Sequence, residues 1–177
     1  GPNWETELRS ELHGKGKLSH ATGIDFWVYS KGIADGMPPL AVGRMAFESW
    51  LLYQTRATKS DLVDCTPSVT SIHQNHDYSH HPDGLAGVGR GVEAQRNRDL
   101  VGGKPYFFTI RDRTHVLTAT GIRPARDGWR LWRTIRTSRI LYPTMPLPLR
   151  LASGLFNGAV DSSRDLMIKA RRLLFNH

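Results

Sequence analysis

The stretch MAFESWLLYQTR, residues 45–56, carries the strongest helical pattern in the chain. Its apolar side chains at Phe47, Trp50 and Leu51 follow the i, i+3, i+4 spacing of one helix face. This spacing predicts a helix in which these three side chains share one face. One carboxylate, Glu48, lies between the two aromatic residues in sequence.

Strand-like and helical patterns alternate on both sides of this helix. The sequence predicts strands at residues 26–29, 61–64, 69–73, 106–110 and 115–120. Further helices are predicted after Asn3 and at residues 92–100, 129–141 and 160–175. The segment 74–91 is expected to be a polar functional loop, and 142–158 a linker rich in Pro and Gly. The alternation predicts an α/β fold with a mixed sheet and flanking helices.

The length and composition are compatible with a single globular domain and a tail. The chain has 177 residues, of which 39% are hydrophobic and 23% are charged. No apolar run approaches the roughly 18 residues that span a bilayer. A single cysteine, Cys65, excludes an internal disulfide and fits a reducing compartment, so the expected location is the cytoplasm.

The positive charge of the chain is concentrated at its C-terminal end. Residues 123–177 contain 11 Lys or Arg and 3 Asp or Glu, which accounts for the whole net charge of +8. We therefore divide the chain into a body, residues 3–122, and a basic helical tail, residues 123–177. A basic tail on a neutral body indicates an anionic partner.

The densest chemistry in the chain lies in the segment HQNHDYSHH at residues 73–81. It holds four of the eight histidines and one aspartate. Imidazole and carboxylate groups are ligands for Zn or Mn, and one loop can bring several of them to one ion. The segment also follows a predicted strand, where α/β sheets place their sites. The alternative is a solvated polar loop in which Asn and Asp form turns.

Glu48 is the candidate acid–base residue. A carboxylate flanked by Phe47 and Trp50 can lie in a partly apolar pocket, and burial there would raise its pKa toward the range of a general base. Two nearby rings could also stack on the apolar face of a sugar. The alternative is a surface glutamate on an amphipathic helix whose aromatic residues belong to the core.

Three blocks of the chain together resemble bacterial glycosyltransferase-like proteins of the GT-A type. The first block runs from AVGR at residues 41–44 to WLLY at 50–53, the second is DCTPSV at 64–69, and the third is IHQNHDYSH at 72–80. Members of this group typically show an IGR-x-x-W-D-x-W-L block followed by an IHQNHDYSH block. The resemblance covers roughly residues 3–120, and Glu48 replaces the usual Asp, as Phe47 replaces the usual Trp.

The resemblance implies transfer of a sugar from a nucleotide-sugar to a lipid-linked or polysaccharide acceptor. It implies Glu48 as the acceptor base and a divalent metal, Mn or Mg, with Zn as an alternative at the histidines. The implied metal ligands are His73, His76, Asp77 and His80. The implied substrate contacts are Arg44, Phe47, Trp50, Asn75 and Tyr78.

One motif of GT-A enzymes is missing from this chain. It contains no Asp-x-Asp, the motif that holds the metal on the nucleotide-binding half of these enzymes. We therefore expect the C-terminal, acceptor-side half of a GT-A-like fold from a longer parent. A second hypothesis is a non-catalytic saccharide- or membrane-binding module, and a third is a metal-binding nucleic-acid protein built on the histidine cluster.

The tail contains a regular arginine pattern. Four arginines recur at every third residue of 129–141, interleaved with Trp129, Trp132 and Ile135. Arginine beside tryptophan is typical of a helix at a membrane interface, so an anionic membrane surface is the expected partner. The alternative is that the tryptophan face packs on the body and the arginines are solvated. Nucleic acid is the weaker expectation, because the usual recognition motifs are absent.

Overall fold

A computed structural model describes residues 2–17, 23–24, 26–73, 78–79, 81–155, 157–159 and 162. In chain order the helices are α1 (Trp4–Lys15), α2 (Phe47–Ala57), α3 (Gly84–Arg90), α4 (Val92–Val101) and α5 (Gly128–Leu141). The strands are β1 (Val63–Asp64), β2 (His115–Thr118) and β3 (Gly121–Pro124). The mixed α/β class predicted from the sequence is confirmed.

The described strands form one small mixed sheet in the order β1-β2-β3. Strand β1 pairs with β2 in parallel, with Val63 opposite His115. Strands β2 and β3 form an antiparallel hairpin, with Thr118 opposite Gly121. Gly121 has a φ of 109°, which a residue with a side chain rarely adopts, so glycine suits the turn.

Four predicted helices are found close to their expected bounds. Helices α1, α2, α4 and α5 begin and end within a few residues of the sequence prediction. Helix α4 ends as expected at Gly102, whose φ of 94° and amide bond to the Asp99 carbonyl close the last turn. Asp127 caps α5, since its side chain accepts a hydrogen bond from the Arg130 amide at 3.0 Å. The helix predicted at 160–175 lies outside the described residues, except for residue 162.

Helix α2 supplies the centre of the core. Trp50 and Leu51 pack with Leu40, Ala46 and Val101 in one buried cluster. Leu52, on the other side of α2, packs with Leu62 and Phe108 in a second cluster. Tyr53 contacts both clusters and thereby joins them.

Two of the predicted strands are not strands. Residues 26–29 form no helix or strand in the described structure, and Phe26, Val28 and Tyr29 are exposed. Residues 69–73 are likewise exposed and outside the sheet. Aromatic and β-branched residues favour extended backbone, but a strand also needs a partner strand and a buried face.

The strand predicted at 106–110 is also wrong. Residues Lys104–Tyr106 and Ile110–Asp112 form short 3₁₀ turns instead. The second turn is fixed by a capping box: the Asp112 carboxylate accepts the Thr109 amide, and the Thr109 hydroxyl accepts the Arg111 amide. Strand β2 therefore pairs with β3, which the sequence analysis did not predict.

Two segments expected to be irregular contain helix. Helix α3 occupies residues 84–90 of the predicted loop, and residues 147–155 of the predicted linker are helical as well. The glycines of α3 and the two prolines near residue 147 obscured these helices. A proline is compatible with a helix start, since the first turn has no use for its amide proton.

Helix α5, assigned to the tail by its charge, packs against the body. Leu141 contacts the cluster of Leu52, Leu62 and Phe108. Among the described residues, no helix has both the length and the apolar character needed to cross a bilayer.

Candidate functional site

The candidate base, Glu48, lies in the first turn of α2. Ala46 precedes the helix with a φ of 77°, a left-handed conformation that is uncommon for alanine, and its side chain is buried in the core. Glu48 is partly buried. A carboxylate in the first turn interacts favourably with the positive end of the helix dipole. The structure therefore holds an acid at a fixed and still accessible position.

The segment that leads into α2 is fastened to α4 by a buried amide. The Asn97 side chain is completely buried and makes two hydrogen bonds to Ala41. Its Oδ1 accepts the Ala41 amide at 2.9 Å, and its Nδ2 donates to the Ala41 carbonyl at 2.9 Å. Asn97 therefore replaces the partner strand that Ala41 would otherwise need.

Two charged side chains of α4 complete this attachment. Arg44 pairs with Glu93, with 2.6 Å between Nε and Oε2, and its guanidinium is mostly buried. Arg98 donates a hydrogen bond of 2.9 Å to the Met45 Sδ atom in this segment, and one of 2.6 Å to the Gly89 carbonyl, which joins α4 to α3. Arg44 was predicted to contact substrate, and it already has a carboxylate partner at the surface. An anionic ligand would have to compete with Glu93 for it.

The two aromatic residues beside Glu48 face the core. Trp50 is 6% exposed, in contact with Leu40 and Leu51. Phe47 is partly buried against the same cluster. Sugar stacking needs an open ring face, so Trp50 serves packing in this structure, and only the partly open Phe47 ring has surface left for a ligand.

The histidine segment is described in part. His73 is exposed and Tyr78 is partly buried, with a left-handed φ of 59°. The predicted site residues Asn75, His76, Asp77 and His80 lie outside the described residues. Within the described part of the chain, no three His, Cys, Asp or Glu side chains are grouped as a metal site would require. The metal site at His73, His76, Asp77 and His80 stays a prediction.

His81, which the sequence analysis did not assign to the metal, packs on α3. Its Nδ1 accepts the Asp83 amide at 3.1 Å. The imidazole ring lies directly against Gly87, in space that a side chain at this position would need. A larger residue at position 87 would therefore displace the ring.

A second cluster of charged residues joins the sheet to α5, and the sequence analysis missed it. Arg133 binds the buried Asp112 through two hydrogen bonds, of 2.7 and 2.6 Å. Arg113 pairs with Asp127 at 2.7 Å and lies 3.7 Å from Asp64. The available signal was the sequence Arg111-Asp112-Arg113, in which a buried acid stands between two bases.

This cluster changes the interpretation of the arginine pattern in α5. Arg130 donates to the Arg113 carbonyl at 2.7 Å, so that both Arg130 and Arg133 are directed into the body. Trp129, by contrast, is about half exposed, with the Arg111 guanidinium 4.0 Å above its ring. The hypothesis of a tryptophan face packed on the body and a solvated arginine face is therefore wrong for these residues.

Two groups next to this cluster have shifted pKa values. Burial lowers the pKa of the Arg56 guanidinium, while the negative charges of nearby acidic groups oppose this shift. Burial also raises the pKa of the Tyr53 hydroxyl, with a further contribution from Tyr106. Both groups lie in the framework of the fold and not at the candidate site around Glu48.

Two surface depressions stand out in the described structure. One follows the side of α1, and the other lies between the end of α5 and residues 147–155. Among the described residues, neither is lined by Glu48, Arg44 or His73. That Glu48 and the histidines belong to one site stays a prediction from the resemblance.

Comparison with protein-family models, with curated proteins and with solved structures gives no match for this chain. The structure thus defines a mixed α/β protein with a partly buried acid in the first turn of α2. The likeness to GT-A glycosyltransferases rests on the sequence motifs alone.

Proposed function

We propose that this chain is the acceptor-side, metal-contributing part of a nucleotide-sugar-dependent glycosyltransferase with a GT-A-like fold. The observation that carries the proposal is the attachment of residues 41–46 to α4 through Asn97. This attachment fixes the start of α2 and with it Glu48. Preorganisation of this kind is what a general base needs, since its position must not change during the reaction.

The proposal assigns one proton transfer to this chain. For an inverting transfer, the Glu48 carboxylate takes the proton of the acceptor hydroxyl, and the hydroxyl oxygen bonds to the anomeric carbon. The bond from that carbon to the diphosphate oxygen breaks, and the electron pair leaves with the diphosphate. A divalent ion, held in part by His73, would supply charge stabilisation for that leaving group.

The missing Asp-x-Asp motif limits the proposed role of this chain to the acceptor side of the reaction. A GT-A site takes its donor-binding carboxylates from its other half, which this chain does not provide. We therefore expect metal and nucleotide binding by this chain to be weaker than in a complete enzyme. The location that goes with this function is the cytoplasm, in part at the membrane surface.

Calorimetric titration tests the metal contact. The full chain is titrated with Mn²⁺ and Zn²⁺, with and without a nucleoside diphosphate, next to His73→Ala and His76→Ala. We expect each variant to lose about tenfold or more in metal affinity, since second-shell changes alone cost 10- to 100-fold. The matched control is His13→Ala, an exposed histidine on α1, which should leave the titration unchanged.

An assay of sugar transfer tests the base. Release of nucleoside diphosphate from nucleotide-sugars is measured with saccharide acceptors, for the full chain and for Glu48→Gln. Loss of about 100-fold or more in turnover is expected for a general base. Equal turnover in the two proteins would exclude Glu48 as the base. Saccharide binding with no turnover in either protein is expected both for the non-catalytic module and for an enzyme part that lacks the donor-binding carboxylates, so the titration with metal and nucleoside diphosphate distinguishes these two.

A further inference from the structure

The last part of α5 and the helical residues 147–155 form a hairpin, here called the C-terminal hairpin. Its two helices meet through small polar residues. Ser153 Oγ lies 3.0 Å from Ser138 Oγ and 3.1 Å from the Ile135 carbonyl oxygen. Thr137, Ser138 and Ser153 are all buried. The Arg139 guanidinium lies close to Gly154, since a Cβ atom on this glycine would be 3.1 Å from it.

The leucines of the hairpin face outward. Leu147, Leu151 and Leu155 follow each other at every fourth residue and so share one helix face. All three are exposed, and Leu155 is 76% exposed. A helix on a water-soluble core normally turns such a face inward. This hairpin instead buries serine and exposes leucine, which is the arrangement of helices that pack within an apolar medium.

Two arginines border the same leucine face. Arg139 and Arg150 line a shallow groove of about 280 Å³ together with Leu147, Leu151, Gly154 and Leu155. Both arginines are exposed, and neither has an acidic partner among the described residues. Residues 128–160 contain five arginines and no acidic residue. The surface is therefore apolar in its centre and cationic at its edge.

We propose that this face of the C-terminal hairpin is a docking surface for a bilayer that contains anionic phospholipid. The leucines enter the boundary between headgroups and acyl chains, and the two guanidinium groups contact the phosphates. Long arginine side chains can lie along an apolar surface and keep their charge at the headgroup level. The proposal is independent of the glycosyltransferase proposal. It places the membrane contact on residues 147–155 and Arg139. Most of segment 129–141, for which the arginine pattern predicted a membrane contact, lies outside this surface.

Vesicle sedimentation tests the docking surface. The full chain is mixed with vesicles of phosphatidylcholine alone or with about one-third phosphatidylglycerol, at low and at high salt. We expect binding to the anionic vesicles only, weakened by salt. Arg139→Gln combined with Arg150→Gln should lower the partition coefficient by about fivefold for each arginine. The triple change of Leu147, Leu151 and Leu155 to Ser should lower it by about tenfold or more.

Matched controls come from other exposed residues. Leu85→Ser on α3 and Arg96→Gln on α4 change the same residue types away from the hairpin and should bind like the unchanged chain. Far-ultraviolet circular dichroism confirms that each variant is folded. The salt dependence of the unchanged chain needs no variant, so the proposal stays testable if one of them unfolds.

Three results would overturn the proposal. A folded chain that does not bind anionic vesicles would show that the leucine face is not a membrane contact. Self-association in analytical ultracentrifugation that the leucine changes abolish, without vesicle binding, would assign the face to a second copy. Binding to duplex nucleic acid that exceeds vesicle binding and survives the leucine changes would identify a different class of partner.

Discussion

The core around α2 and the C-terminal hairpin use apolar and polar side chains in opposite ways. In the core, Trp50, Leu51 and Leu52 are buried, and the fully buried polar side chain of Asn97 satisfies both polar atoms of the Ala41 backbone. In the hairpin, serines are buried and Leu151 is exposed. The core therefore has the arrangement of a protein surrounded by water. The hairpin has the arrangement of helices that contact a surface less polar than water.

The contrast between core and hairpin also separates the roles of α2 and α5, which both have strong sequence patterns. Helix α2 has a continuous apolar face that meets two clusters, so its stability comes from burial. Helix α5 is held to the body by the ion pair of Arg133 with Asp112 and by Leu141. On another side, Ile135 and Ser138 of α5 contact Ser153 of the C-terminal hairpin.

The largest expected effect is the difference in the free energy of unfolding between a side-chain truncation in the core and one in the hairpin. Phe108 is 1% exposed and packs with Leu52 and Leu62, so Phe108→Ala should lower the free energy of unfolding by about 3–5 kcal/mol. Leu151→Ala should change it by less than about 0.5 kcal/mol, because that side chain is exposed. Urea denaturation measures both values. Similar losses in the two variants would contradict the division into core and docking surface.

The second effect separates an arginine of the body from an arginine of the docking surface. Arg133→Gln leaves the buried carboxylate of Asp112 without its charged partner, which should cost about 3 kcal/mol. Arg139→Gln removes an exposed guanidinium from the same helix and should cost less than about 0.5 kcal/mol. Thermal denaturation of the two variants at equal concentration gives the comparison. Equal melting temperatures would show that Arg133 contributes no net stabilisation.

The third effect concerns the segment that positions Glu48. Asn97→Ala leaves the amide and carbonyl of Ala41 without their partner, at a cost of about 2 kcal/mol. Hydrogen exchange of residues 41–46 should become faster, while exchange in α5 stays the same. Gln95→Ala is the control, since that side chain is exposed on the same helix. If exchange in 41–46 is unchanged, Asn97 does not fix the start of α2.

The local patterns of the sequence predicted the helices better than the sheet. Periodicity and termini were sufficient for α2 and α4, because burial of Trp50 and the turn at Gly102 are local features. Strand pairing depends on partners distant in sequence. Residue 63 pairs with residue 115, about 50 residues away, and nothing in either segment specifies the other.

The residue types of the candidate site were predictable from the sequence, but the orientations of their side chains were not. The sequence indicated Glu48 between two aromatic residues, and the structure puts it at the first turn of α2. The sequence could not show that Trp50 faces the core, that Arg44 binds Glu93, or that Arg133 binds Asp112. Each of these contacts joins residues from different elements, so only the fold determines them.

The smallest effect tests whether the hairpin is held by its polar contacts. Ser153→Ala removes a hydroxyl that lies 3.0 Å from Ser138 Oγ and 3.1 Å from the Ile135 carbonyl oxygen, at a cost of about 1 kcal/mol. The loss should appear as faster hydrogen exchange in residues 147–155, with little change in α2, since the core does not depend on this contact. Ser162→Ala, an exposed serine further along the chain, is the control. If Ser153→Ala leaves exchange in 147–155 unchanged, the outward leucines must be held by something other than the serine pair, and the contrast between core and hairpin would lose its structural basis.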